Sequence, residues 1–168
     1  MNIAGINFES VVDGEGVRVV VFVSGCLHNC KGCHNPASHS FTAGQPFTQE
    51  LQDEVISYIQ KTPYISGITL SGGDPMYSAA ELIPFVEHLR SKVKNTTVWI
   101  YSGFTFEEIL RSKEKFNLLK LCDVLVDGQF VLEQRDTTLS YKGSKNQRII
   151  DVKKSLSSKQ IVVKELDI

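Results

Sequence analysis

Hydrophobic and polar residues follow two different periods along the chain. Val17–Val23 is almost continuously apolar and rich in β-branched residues, which is typical of a strand buried on both faces of a parallel sheet. Residues 67–70, 97–101 and 124–126 are shorter runs of the same kind. We predict these four runs as strands.

Apolar residues at helical spacing separate the predicted strands. Leu51, Val55 and Ile59 recur every four residues behind Thr48, whose hydroxyl can cap the first helical turn. A short helix is expected to start near Thr105. A second stripe predicts a helix that contains Leu82, Val86, Leu89 and Val93.

Strands that alternate with helices indicate right-handed βαβ units and a mostly parallel sheet. A complete eight-unit barrel takes about 250 residues, whereas this chain has 168. We therefore expect an α/β fold, a partial and open (βα)5–6 barrel in one domain spanning residues 1–168. Past residue 130 the pattern weakens, and residues 147–152 and 160–163 are candidates for short strands.

Charge and hydropathy narrow the class of protein. A formal net charge of -1 gives no global positive field that would attract nucleic acid or anionic lipid. The chain does not begin with a basic segment followed by a long apolar stretch, and its longest apolar run is too short to cross a bilayer. We expect a cytoplasmic protein without nucleic-acid or membrane partners.

Three of the four cysteines lie close together in the sequence. Cys26, Cys30 and Cys33 follow the first predicted strand directly. Such clustering indicates a metal or redox site, because a disulfide scaffold would spread its cysteines over several loops. Cys122 lies alone in an apolar stretch and is expected to be a small buried hydrophobic residue.

The number of clustered thiolates limits the metal they can hold. A [4Fe–4S] cluster is normally bound by four cysteines, so three would leave one iron free to bind a substrate or cofactor. The alternative is a zinc site in which His34 or His28 completes a Cys3His set. Structural zinc sites usually pair two short ligand hairpins, whereas all candidates here occupy one loop. A [4Fe–4S] cluster is therefore favoured over a zinc site.

Glycine-rich segments follow or precede two of the predicted strands. Gly72, Gly73 and Asp74 end the second strand. They can form a simple turn, or they can let a ligand approach backbone carbonyls beside a carboxylate. Residues 13–16 contain two glycines and have the same two interpretations. The chain has no phosphate-binding Gly-x4-Gly-Lys loop and no serine nucleophile elbow.

The Cys-x3-Cys-x2-Cys spacing resembles that of the radical S-adenosylmethionine superfamily. Residues 142–150, with Gly-Ser-Lys-Asn-Gln-Arg at 143–148, resemble one branch of it, the anaerobic ribonucleoside-triphosphate reductase activating proteins. The other segments that carry this resemblance are residues 12–18, 22–36, 70–75, 99–104 and 123–130.

The resemblance implies a set of site residues. Cys26, Cys30 and Cys33 would ligate the [4Fe–4S] cluster. No side chain is expected to act as a general acid or base, because the cluster and S-adenosyl-L-methionine carry the radical chemistry. Many superfamily members have an aromatic residue at position 32 and a glutamate at position 74. The residues that would contact S-adenosyl-L-methionine are Gly32, Cys33, His34, Gly72, Gly73 and Asp74.

The resemblance also implies an activity and its partners. Reductive cleavage of S-adenosyl-L-methionine would give methionine and a 5′-deoxyadenosyl radical, which forms a glycyl radical on the large subunit of an anaerobic ribonucleoside-triphosphate reductase. A flavodoxin-like protein would donate the electron. Residues 141–148, polar and basic, are either the contact with the reductase or a solvated loop. The alternatives are the same chemistry on another target, such as formate lyase or a small molecule, and a non-catalytic metal-binding interaction module.

Overall fold

The computed structural model describes residues 1–166, which form one seven-stranded sheet and five α-helices. The strands are β1 (Asn2–Ser10), β2 (Val17–Val23), β3 (Gln45–Pro46), β4 (Ile65–Gly72), β5 (Thr97–Ser102), β6 (Val124–Asp127) and β7 (Arg148–Asp151). The helices are α1 (Gln49–Lys61), α2 (Ala79–Lys92), α3 (Phe106–Leu110), α4 (Lys113–Leu119) and α5 (Val152–Ser158).

The sheet is mixed, with a parallel centre. Its strand order is β3-β1-β2-β4-β5-β6-β7, and β2, β4, β5 and β6 are parallel neighbours. β1 pairs antiparallel with β2, and β7 pairs antiparallel with β6. The α/β class is confirmed, but the four parallel strands are fewer than the five or six units expected, because the ends of the chain form antiparallel edges instead of further βα units.

Local sequence explains most of the helix starts. Thr48 accepts a hydrogen bond from the backbone N–H of Leu51 at 3.2 Å and caps α1, as predicted. Thr105 and Glu108 form a capping box at the start of α3. Residues 160–163 do not form a strand, since Val163 makes only an isolated bridge to Ile150.

Alternating residues of the strands point to opposite faces of the sheet. On β5, Val98 and Ile100 pack into the main core with the helices, whereas Trp99 lies in a smaller apolar cluster on the other face. Arg18 stacks beneath Trp99 with its guanidinium carbon 5.6 Å from the ring centroid. Burial lowers the pKa of Arg18 to about 10, and its guanidinium bonds to oxygens of β4 and β5.

The buried apolar residues of the helices all belong to the main core, on one face of the sheet. No helix within residues 1–166 is long and apolar enough to cross a membrane.

Cys122 is fully buried and its thiol donates to the carbonyl of Leu118 at 3.4 Å. Burial raises the pKa of Cys122 to about 12, so the predicted small buried residue is confirmed.

Candidate metal centre

The cysteine loop (residues 24–39) leaves the carboxyl end of β2. Its two ends are held together by two backbone hydrogen bonds, from Gly25 to Ser38 at 2.7 Å and from Cys26 to His39 at 3.0 Å. The loop is therefore closed independently of any metal, and it presents Cys26, Cys30 and Cys33 as partly buried free thiols.

The glycine loop (residues 71–75) lies beside the cysteine loop, because β4 is the parallel neighbour of β2. The backbone N–H of Gly73 donates to Val23 at 2.8 Å, and that of Asp74 donates to Gly25 at 2.9 Å. A Cβ at Gly73 would lie 2.5 Å from the carbonyl oxygen of Gly25. A glycine is thus needed at this position for the close approach of the two loops.

Peptide N–H groups point at the cysteine sulfurs. Burial raises the pKa of Cys26 and Cys30, and the backbone N–H groups of His28 and Phe130 partly offset this effect. The Sγ atom of Cys33 accepts from the backbone N–H of Asn35 at 3.4 Å. Hydrogen bonds to sulfur are characteristic of cysteines that ligate iron–sulfur clusters, so this donor set fits a cluster.

His28 is a buried structural residue rather than an available ligand. Its side chain is 7% exposed, and its Nε2 lies 2.6 Å from Oδ2 of Asp74. Its Nδ1 lies 3.2 Å from Nε2 of Gln129, and its ring packs against Phe104 at 4.6 Å. Both ring nitrogens are engaged, which removes His28 as a zinc ligand. Within residues 1–166 no three or more His, Cys, Asp or Glu side chains lie close enough to hold a single metal ion.

Asp74 is 1% exposed and its carboxylate is occupied by protein donors. Besides His28, Oδ2 accepts from the hydroxyl of Ser102 and the N–H of Gly103, each at 2.9 Å. Oδ1 accepts from the N–H of Met76 at 2.9 Å. Asp74 therefore joins the cysteine loop to the ends of β4 and β5.

The two loops border a cavity of about 530 Å³, a size that suits a small-molecule site. Neither Gly32 nor Asp74 lines this cavity. Sequence reasoning missed Tyr101, Gln129 and Gln147, which line it from β5, from the end of β6 and from the C-terminal segment. The predicted site residues that do line it are Cys26, Cys30, Cys33, His34, Gly72 and Gly73.

A second cavity of about 640 Å³ opens at the other end of the parallel strands, where they begin. Four of its charged residues form two ion pairs, Lys153 with Asp123 at 3.0 Å and Lys164 with Glu15 at 3.3 Å. It contains no cysteine among its lining residues. The candidate metal centre therefore lies in the first cavity.

The Gly-Ser-Lys-Asn-Gln-Arg segment (residues 143–148, the C-terminal motif) is bonded to the interior. Gln147 accepts from the N–H of Gly143 at 2.8 Å and donates to the carbonyl of Gly128 at 2.9 Å. Arg148 pairs with the buried carboxylate of Asp127 at 2.6 Å. The motif thus supports the end of β6, a role that its polar composition does not reveal.

Comparison with known proteins agrees with this centre. A model of the 4Fe–4S single cluster domain matches residues 12–150. The anaerobic ribonucleoside-triphosphate reductase-activating protein of Vibrio cholerae is 40% identical over 142 residues, covering 83% of this chain and 90% of that protein.

Two further relatives carry the same name. The Haemophilus influenzae protein is 39% identical over 142 residues, which cover 83% of this chain and 90% of that protein. The Escherichia coli K12 protein is 35% identical over 140 residues, which cover 82% of this chain and 90% of that protein. The chain belongs to the family of anaerobic ribonucleoside-triphosphate reductase-activating proteins, and it contains a 4Fe–4S domain.

Proposed function

We propose that this protein is a radical S-adenosylmethionine enzyme that activates an anaerobic ribonucleoside-triphosphate reductase by forming a glycyl radical on its large subunit. One observation carries the proposal: three cysteines of a closed loop face the same cavity as Gly72 and Gly73. Family membership gives the target, since the relatives are named for activation of this reductase.

Cys26, Cys30 and Cys33 would hold a [4Fe–4S] cluster with one iron open to S-adenosyl-L-methionine. His34, Gly72 and Gly73, which line the cavity, would contact that cofactor, whereas Gly32 lies outside the cavity lining. When bound, the cluster and cofactor supply reductive cleavage of the sulfonium to methionine and a 5′-deoxyadenosyl radical, with the electron coming from a flavodoxin-like donor.

The protein's own residues bind and orient in this scheme. The carboxylate of Asp74 is occupied by four protein donors, so we place it beneath the site, where it sets the position of the glycine loop. Tyr101 and Phe130 supply apolar surface on the cavity wall. No side chain serves as a general acid or base, because homolytic cleavage needs no proton transfer.

Anaerobic reconstitution tests the proposal. The wild type should bind about four irons and four sulfides and, with dithionite and S-adenosyl-L-methionine, release 5′-deoxyadenosine. Adding the reductase should give a glycyl-radical signal in electron paramagnetic resonance, whereas adding formate lyase should not. Cys30→Ala should lose the cluster and Cys122→Ala should keep it. A reconstituted wild type that releases no 5′-deoxyadenosine contradicts the chemistry, and a signal on formate lyase contradicts the target.

A further inference from the structure

The C-terminal motif is bonded to the β6 loop (residues 128–131) at successive positions. Gln147 donates to the carbonyl of Gly128 at 2.9 Å. Asn146 donates to the carbonyl of Gln129 at 2.8 Å. The hydroxyl of Ser144, a fully buried residue, accepts from the N–H of Val131 at 3.2 Å. These bonds fix the backbone of a four-residue segment that has no regular secondary structure of its own.

The same β6 loop contacts the cysteine loop through Gln129. Its Nε2 lies 3.2 Å from Nδ1 of His28, and its Oε1 lies 3.9 Å from Sγ of Cys30. The carboxylate of Asp74 can only accept, so Nε2 of His28 donates to it, and Nδ1 faces the amide group of Gln129. The contact with Cys30 needs the free thiol as donor, so the contact of Gln129 that remains when Cys30 binds metal is the one with His28.

Phe130 makes the second connection. Its backbone N–H lowers the pKa of the Cys30 thiol, against the rise that burial causes, and its ring centroid lies 5.1 Å from that of His34. A Cβ at Gly143 would lie 3.2 Å from the Phe130 ring and 3.4 Å from the ring of His34. The absence of a side chain at Gly143 thus leaves room for this pair of rings.

We propose that the C-terminal motif is a positioning element for the metal centre, acting on the cysteine loop through Gln129, which contacts His28, and through Phe130, whose ring contacts His34. This inference rests on the proposed function only in taking Cys30 as a cluster ligand. Residues that hold a metal ligand in place without touching the metal are important for metal binding. Removing such a residue usually lowers the metal affinity about 10- to 100-fold. Loss of the motif's hydrogen bonds should therefore loosen the cluster without removing any ligand.

Release of iron to a chelator measures this effect. Gln147→Met keeps the length of the side chain but loses its hydrogen bonds, and it should release iron from the reconstituted protein about tenfold faster than wild type. Asn146→Ala, at an exposed position, removes the hydrogen bond to the carbonyl of Gln129 and should shift the rate in the same direction. Lys145→Ala is the matched control, because its exposed side chain makes no hydrogen bond within the described residues, and its rate should equal that of wild type.

Amide hydrogen exchange in the cluster-free protein gives a readout without metal. Gln147→Met should raise exchange in residues 128–131 and in residues 27–33, whereas Lys145→Ala should raise neither. A core variant of similar thermal stability, such as Ile56→Val in α1, should leave iron release unchanged. Faster exchange confined to 128–131 with wild-type iron release would overturn the proposal. A wild type that holds its cluster but cleaves no S-adenosyl-L-methionine would contradict the proposed function and leave this comparison valid.

Discussion

The Nε2 atom of His39 lies 3.3 Å from the Sγ atom of Cys33. His39 comes from the far end of the cysteine loop, where its carbonyl also accepts from the N–H of Cys26. A metal-bound thiolate only accepts hydrogen bonds, so Nε2 would carry the hydrogen in the cluster-bound protein. Cys33 thus receives a side-chain donor in addition to the N–H of Asn35.

His39→Phe should lower the reduction potential of the cluster. An N–H···S bond stabilises the reduced, more negative cluster, and a net contribution of about 1 kcal/mol corresponds to roughly 40 mV in a one-electron couple. Spectroelectrochemical titration of the reconstituted protein measures the shift. His88→Phe, on α2 away from the cysteine loop, is the control. An unchanged or higher potential in His39→Phe would contradict this role.

Gly73→Ala should displace the cysteine loop. The new methyl group would lie 2.5 Å from the carbonyl oxygen of Gly25 and 2.7 Å from that of Ser38, and neither backbone atom can yield easily. We expect a loss of about 1–3 kcal/mol in the free energy of unfolding and lower iron content after reconstitution. Gly5→Ala is the matched control, since its Cβ would meet no atom within 4 Å. Equal urea midpoints for the two variants would refute the steric argument.

Asp74→Asn should destabilise the protein even without cofactor. An amide NH2 cannot accept from the N–H and O–H donors that surround this carboxylate, so it would oppose one donor at the position of Oδ1 and three at the position of Oδ2. We expect a loss of about 1.5–3 kcal/mol in urea unfolding of the cluster-free protein. The exposed Asp53→Asn in α1 should change it by less than about 0.5 kcal/mol. Normal stability with weakened S-adenosyl-L-methionine binding would instead place Asp74 directly on the cofactor.

Asp123 should make stability depend on pH. Burial alone would raise the pKa of Asp123, but the N–H of Val98 and the cations Arg90 and Lys153 hold it below 3.8. A carboxyl whose pKa is lower in the folded state stabilises the fold above its unfolded pKa, and this contribution disappears as the pH falls.

Asp123→Asn should accordingly lower the free energy of unfolding by about 1–3 kcal/mol at pH 7. The difference from wild type should shrink as the pH falls below 3.8. Urea unfolding of both proteins at several pH values between 7 and 3 measures it. A difference that stays constant across this range would show that the charge of Asp123 does not matter.

Much of the fold follows from local sequence. The apolar run at Val17–Val23 and the capping residues Thr48 and Thr105 predict β2, α1 and α3 at nearly their observed positions, because β-branched burial and N-caps are short-range effects. β1 was not predicted, since Asn2–Ser10 has no β-branched run. Its strand forms through pairing with β2, which single-residue patterns do not encode.

The metal centre, too, could be predicted from the sequence only in part. The spacing of Cys26, Cys30 and Cys33 and the glycines at 72 and 73 predict residues that the structure does place around one cavity. The contacts of His28 and Gln147 were not predictable, because their partners lie 46 and 19 residues away along the chain. A polar motif looks the same in sequence whether its side chains meet solvent or a neighbouring backbone.

The two backbone bonds that close the cysteine loop have a thermodynamic consequence. Gly25 and Cys26 are joined to Ser38 and His39 by peptide groups alone, so the entropy of closing the loop is lost when the chain folds and not when iron arrives. Small zinc domains, by contrast, fold only with their metal. This protein should therefore be folded before it is loaded, so that assembling the cluster orders only the short stretch between the two bonds.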